Sequence, residues 1–156
     1  MDNMLMFSLP EADLQKTMRS KTPPRKTVST CDKEWKQFHR SCYYFTPSKS
    51  TWEVARSLCK EKGGDLAIIK SEKEQKFLAS HIKNFFYWIG LTDIKEEGKW
   101  LWVDGTALDT SVTFWKNGEP NNQGNEDCGI LYPDGQWNDM ICSDSTIYAI
   151  CEKALK

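Results

Sequence analysis

The sequence predicts an α+β domain: two helices packed on small antiparallel sheets, with a long polar loop and a disulfide framework. Three observations lead there. Helical periodicity is concentrated between residues 50 and 85 and short strand-like runs follow it, the order expected when helices are segregated from an antiparallel sheet. The six cysteines (Cys31, Cys42, Cys59, Cys128, Cys142 and Cys151) are even in number and widely spaced, and none forms a Cys-x-x-Cys pair. That favours disulfides over zinc or thioredoxin-type chemistry. Between Asp104 and Cys128 strand signals are sparse, and a long irregular stretch in a compact domain is usually functional.

The chain has 156 residues, enough for one domain and a short tail, and its seven Trp, seven Phe and five Tyr supply an aromatic-rich core. A net charge of −1 gives no electrostatic case for a nucleic acid or an anionic membrane surface as partner. Residues 1–30 lack cysteine and tryptophan and end in the basic, proline-containing run from Ser20 to Lys26, the composition of a flexible stem or linker. The apolar run from Met4 to Leu9 is too short for a signal peptide, and no stretch is long enough to span a membrane. Disulfides nevertheless need an oxidising compartment. The expectation is an extracellular or cell-surface ectodomain whose membrane anchor lies outside this sequence.

The domain proper is expected over 31–156. The segment from Cys31 through Trp35 and Phe38 to Cys42-Tyr43-Tyr44-Phe45 reads as a small hairpin leading into an aromatic strand. Ser50 or Thr51 caps a helix running to about Lys62, with Trp52, Ala55, Leu58 and Cys59 on one face and Gly63-Gly64 ending it. The capping box Ser71-x-x-Glu74 starts a second helix whose buried stripe is Phe77, Leu78, Ile82 and Phe85. Strand-like runs then come at Tyr87–Leu91, Lys99–Val103, Gly129–Tyr132 and Tyr148–Cys151, with Asp104-Gly105 and Asp134-Gly135 marking turns.

The most informative stretch is Glu119 to Cys128. It holds three carboxylates and four carboxamides within residues 119–127, and Trp137-Asn138-Asp139 answers it ten residues later. Acids and amides are rarely buried unless paired or bound to metal, and a set of oxygen ligands without histidine or free thiol suits a hard cation such as Ca²⁺. The X-Pro bond is where a cis peptide is least costly, and a cis bond at Pro120 would aim Glu119 and Asn121 to the same side.

Taken with Gly63-Gly64-Asp65-Leu66-Ala67 and Trp88-Ile89-Gly90-Leu91, the Glu119-Pro120-Asn121 and Trp137-Asn138-Asp139 motifs make the region from Cys31 to Lys153 resemble a C-type lectin carbohydrate-recognition domain of the long form. The resemblance implies the pairs Cys31–Cys42, Cys59–Cys151 and Cys128–Cys142. It implies a principal calcium held by Glu119, Asn121, Glu126, Asn138 and Asp139, the same residues contacting the sugar. An auxiliary calcium would be held by Asp93, Glu97, Asn122 and Asp127 with the Glu126 backbone carbonyl. Glu-Pro-Asn resembles the motif of mannose-type members, which accept vicinal equatorial hydroxyls as in mannose, N-acetylglucosamine or fucose, whereas galactose-type members carry Gln-Pro-Asp. Gln123 and Met140 flank these ligands, as sugar contacts or as ordinary loop residues.

The expected function is therefore a calcium-dependent glycan-binding module of an immune or endocytic pattern-recognition receptor, oligomeric where avidity is needed. The alternative is a lectin-like domain that binds a protein partner independently of calcium. An enzyme is not expected. His39 and His81 are far apart and lack a nucleophile motif, and metal-ligating carboxylates must stay ionised whereas a general acid at Glu126-Asp127 would need a raised pKa. Trp100 and Trp102 are expected in the core.

Overall fold

The computed structural model describes residues 30–121 and 125–156. The stem expected at the N-terminus, apart from Thr30, lies outside the described residues, as do Asn122 and Gln123. Among the described residues the order is β1 (Lys36–Phe38), β2 (Ser41–Phe45), α1 (Trp52–Glu61), β3 (Asp65–Leu66), α2 (Glu72–Ala79), β4 (Tyr87–Thr92), β5 (Leu101–Trp102), β6 (Cys128–Leu131), β7 (Trp137–Met140) and β8 (Tyr148–Ala154). No helix among them is long and apolar enough to cross a membrane.

Helix α1 begins where Thr51 Oγ1 accepts from the Val54 N–H at 3.3 Å, and it buries Trp52, Ala55 and Cys59. The chain leaves it through Gly63 at φ 92°. Gly64 then passes so close to β8 that a Cβ there would lie 2.2 Å from the Glu152 carbonyl oxygen, so only glycine fits.

Helix α2 is shorter than its periodicity predicts. Ser71 Oγ accepts from the Glu74 N–H at 3.1 Å, but the Glu74 carboxylate turns to the Lys70 N–H and the Tyr43 hydroxyl instead of completing a capping box. The helix ends at Ala79, so Ile82 is buried from the following turn and Phe85 is 49% exposed. The expected stripe thus holds for Phe77 and Leu78 and fails at Phe85, because helical spacing no longer applies once the helix has stopped.

The strands follow the path β1-β2-β8-β4-β6-β7, with β3 on β8 and β5 on β4. Antiparallel pairs dominate, as expected, but Tyr87 and Trp88 of β4 pair in parallel with Tyr148 and Ala149 of β8, joining the pieces into one mixed sheet. The run expected at Lys99–Val103 is a strand only at Leu101–Trp102, and Trp100 and Trp102 are both core residues.

The three disulfides are Cys31–Cys42, Cys59–Cys151 and Cys128–Cys142, as the resemblance implied. The second ties α1 to β8 across 92 residues. The core lies in two clusters, one around Trp137, Trp102 and Leu91, the other around Trp52, Trp88 and Ile130. Three of the buried indole N–H groups find acceptors: Trp52 on the Ile89 carbonyl at 3.0 Å, Trp88 on the Ser50 carbonyl at 2.8 Å, and Trp137 on Gln75 Oε1 at 2.9 Å.

Candidate functional site

The segment between β5 and β6 contains no strand among its described residues, yet it is fastened to β7. The Trp137 N–H donates to the Phe114 carbonyl at 2.6 Å, and the Lys116 N–H donates to the Trp137 carbonyl at 2.8 Å. The Trp100, Trp115 and Trp137 rings pack edge to face beneath. A turn closed by the Glu119 N–H on the Lys116 carbonyl at 2.9 Å then delivers Glu119 above the strand. The Glu119–Pro120 peptide bond is cis. The Glu119 carboxylate accepts from the Asn121 backbone N–H at 3.0 Å and from Asn121 Nδ2 at 3.1 Å, so acid and amide form a unit.

Two groups of acids assemble around this loop. Glu119, Glu126 and Asp139 each place a carboxylate oxygen so that all three lie within 4.8 Å of one another. They come from the loop, the approach to β6, and β7; the Cys128–Cys142 bridge holds the last two segments together. Partial burial and the neighbouring carboxylates of Asp139 and Glu126 hold the Glu119 carboxyl above its ordinary range, against the pull of the Asn121 N–H. Asn138 lies beside Asp139 on β7. Its Oδ1 accepts from the Asp139 N–H at 2.9 Å and its Nδ2 donates to the Tyr132 hydroxyl at 2.9 Å.

The second group is Asp93, Glu97 and Asp127, again with ligand atoms within 4.8 Å of one another. The end of β4 is tied to the start of β6 here, since the Thr92 hydroxyl and the Asp93 N–H both donate to the Asp127 carbonyl, at 2.6 and 3.1 Å. Asp93 is 2% exposed, and burial, with Asp127 and Glu97 close by, pushes its carboxyl up to about 7 although the Gly98 N–H opposes the shift.

Both groups fit a hard cation. Among the described residues, Asp93 Oδ1 and Asp127 Oδ1 are buried and accept no hydrogen bond. Two ionised carboxylates offer each other no donor, so a divalent ion satisfies such atoms better than a side chain can. The ligand atoms are all oxygens, every described cysteine is in a disulfide, and His81 is engaged with the Phe77 carbonyl and the Phe45 and Phe77 rings.

Of the residues singled out in the sequence, Glu119, Asn121, Glu126, Asn138 and Asp139 thus fall around one loop, and Asp93, Glu97 and Asp127 around its neighbour. Asn122, expected in the second group, is outside the described residues. Met140 is half-buried against the second core cluster. Sequence reasoning did not single out Tyr132, which engages Asn138. It sits six residues away across a turn, and only the pairing of β6 with β7 brings the two together.

Residues 48–153 match the family model described as Lectin C-type domain. The chain is 47% identical to the hepatic lectin of Gallus gallus over 124 residues, 79% of this chain and 59% of that protein. Of further curated relatives the match spans 28–52% of the length, so the chain corresponds to part of these proteins. Among solved structures it is similar to the carbohydrate-recognition domain of cow CD23, determined in the presence of a GlcNAc2Man3 oligosaccharide, with TM-score 0.78, 35% identity, and 83% of this chain and 99% of that one covered. It is also similar to a calcium-independent type II antifreeze protein, with TM-score 0.75, 29% identity, and 84% and 99% covered. By sequence and by fold, the chain belongs to the C-type lectin domain family, whose members are binding domains rather than enzymes.

Proposed function

We propose that this domain binds glycans through a calcium ion held by Glu119, Asn121, Glu126, Asn138 and Asp139. The sugars it takes carry vicinal equatorial hydroxyls, as mannose, N-acetylglucosamine and fucose do. The observation that carries this reading is the convergence of Glu119, Glu126 and Asp139, from three segments, to within 4.8 Å of one another. Carboxylates that close repel, and a site built this way is most stable with a cation between them. Bound calcium would supply that charge, together with coordination positions that two sugar oxygens can fill.

The protein's own residues do the rest. Glu119 and Asn121 form one acid–amide unit, and Glu126 with Asn138 is read as the second. A sugar hydroxyl donates to the carboxylate of such a unit and accepts from its amide, so every polar group stays paired as water leaves. The order Glu then Asn around Pro120 supports the mannose class over the galactose class, and the mannose-containing oligosaccharide present with cow CD23 agrees with that choice. Asp93, Glu97 and Asp127, with Asn122 and the Glu126 carbonyl, are read as an auxiliary calcium site that braces the loop.

A shallow site leaves most of a monosaccharide wet, so single-site affinity is weak and clustering of several domains supplies avidity. The domain is accordingly read as the extracellular head of an immune or endocytic receptor. Residues 1–30 would be its stem. The alternative, a partner bound without calcium, draws on the similarity to a calcium-independent antifreeze protein.

Retention of the refolded domain on immobilised mannose and galactose separates the readings. Retention on mannose alone, released by EDTA, is the expected outcome. Retention on galactose would overturn the assignment of Glu119 and Asn121 as the specificity pair. Failure to bind either at high ligand density would favour the calcium-independent alternative.

A further inference from the structure

We propose that Tyr132 is a positioning residue for this site: its hydroxyl, together with the Asp139 backbone N–H, holds the Asn138 carboxamide in the one orientation that serves both the cation and the sugar. The inference rests on the calcium-dependent reading above. A carboxamide has two N–H donors and two oxygen lone pairs. The Asp139 backbone N–H, 2.9 Å from Asn138, is a donor only and so must face Oδ1. That leaves Nδ2 to face the Tyr132 hydroxyl, also at 2.9 Å. One lone pair and one N–H remain, the acceptor that a cation needs and the donor that a sugar hydroxyl needs. With the amide reversed, an N–H would point at the metal.

Tyr132 is itself rigidly held. It opens the turn between β6 and β7, where its N–H donates to the Gln136 carbonyl at 2.8 Å and its carbonyl accepts from the Gly135 N–H at 2.9 Å. Its ring stacks on Phe86 with centroids 4.5 Å apart and planes 11° from parallel. Lys116 Nζ lies 4.5 Å from the ring centroid on the other contact, and Lys116 belongs to the segment that delivers Glu119. The hydroxyl has no other hydrogen-bond partner among the described residues, so the ring packing serves to aim it at Asn138.

Tyr132→Phe keeps the ring and removes only the hydroxyl. The expected result is about fivefold weaker affinity for calcium, and about fivefold weaker affinity for methyl mannoside at saturating calcium, the loss of one ordinary hydrogen bond. The thermal midpoint in EDTA should match the parent protein. In an Asn138→Ala background, shown folded by near-ultraviolet CD, Tyr132→Phe should change calcium affinity no further, because its effect passes through Asn138. If the parent binds calcium and mannoside and Tyr132→Phe binds both equally well, the role of Tyr132 is overturned while the calcium reading stands. A loss that persists without Asn138, or that comes with a lower midpoint in EDTA, would make Tyr132 merely structural. A parent domain that binds neither ligand would overturn the calcium reading and this inference together.

Discussion

Asp93 is buried, and among the described residues only one of its carboxylate oxygens meets a donor, the Gly98 N–H at 2.8 Å. Burial pushes its carboxyl up to about 7, burial moves Glu119 and Glu152 upward as well, and neighbouring acids add to each shift. A carboxyl whose folded pKa exceeds its unfolded one contributes stability that is fully present below the ordinary carboxylate range and is lost as pH rises through the folded value. Asp32, Asp104 and Asp109 are shifted downward by their hydrogen-bond donors, so their contribution is lost only as pH falls below that range. Between pH 5 and 7.5 the first set governs. The calcium-free domain should therefore melt a few degrees lower at pH 7.5 than at pH 5 in EDTA, and saturating calcium at pH 7.5 should reverse the difference. The same protons compete with the cation, so calcium affinity should be lower at pH 5.0 than at pH 7.4. A midpoint in EDTA that rose with pH across this range would contradict the burial argument. At this scale the acids and amides of the loop were legible, because their types and order form a motif. The set of buried Tyr43 and Glu74 with half-buried Glu152 was not. It joins β2, α2 and β8, with Ser41 Oγ and the Ile68 N–H donating to Glu152 at 2.7 and 3.0 Å, and no local pattern announces a contact across 111 or 84 residues.

Among the elements, α1 was readable at both ends because cap and stop are local chemistry, Thr51 at one and Gly63 at the other. The length of α2 was not, since apolar residues continue at helical spacing past Ala79 while the backbone turns toward β4. The fastening of Phe114 and Lys116 to β7 was equally invisible, because it uses backbone groups alone. That fastening and the Cys128–Cys142 bridge hold the site, whereas Cys59–Cys151 holds the fold. On the loop-entropy account, closing 92 residues contributes about 4–5 kcal/mol and closing 14 contributes about 3 kcal/mol. Cys59→Ser/Cys151→Ser should therefore cost more in a denaturant titration. Cys128→Ser/Cys142→Ser should keep the near-ultraviolet CD of the core while losing at least tenfold in calcium affinity. Equal loss of calcium affinity in both variants at a temperature where both are folded would mean that the short bridge has no special part in the site.

For the molecule as a whole, the aromatic clusters and the β2-β8-β4-β6-β7 pairings form a platform, and the loop stands on it. The α+β class and the disulfide-closed architecture were legible because cysteines, tryptophans and turn residues punctuate the chain. The parallel pairing of β4 with β8 was not, since it depends on how two distant segments lie side by side. The platform places acids at Glu119, Glu126 and Asp139 where a cation relieves their repulsion, and the central claim is that sugar hydroxyls complete the coordination of that cation. Binding linkage makes this directly measurable, because two ligands that share contacts must each tighten the other by the same factor. The measurement is a calcium titration of the domain at pH 7.4, with and without saturating methyl mannoside. Tighter calcium binding with the mannoside, and no change with methyl galactoside, is the result predicted; calcium affinity indifferent to both sugars would contradict the account.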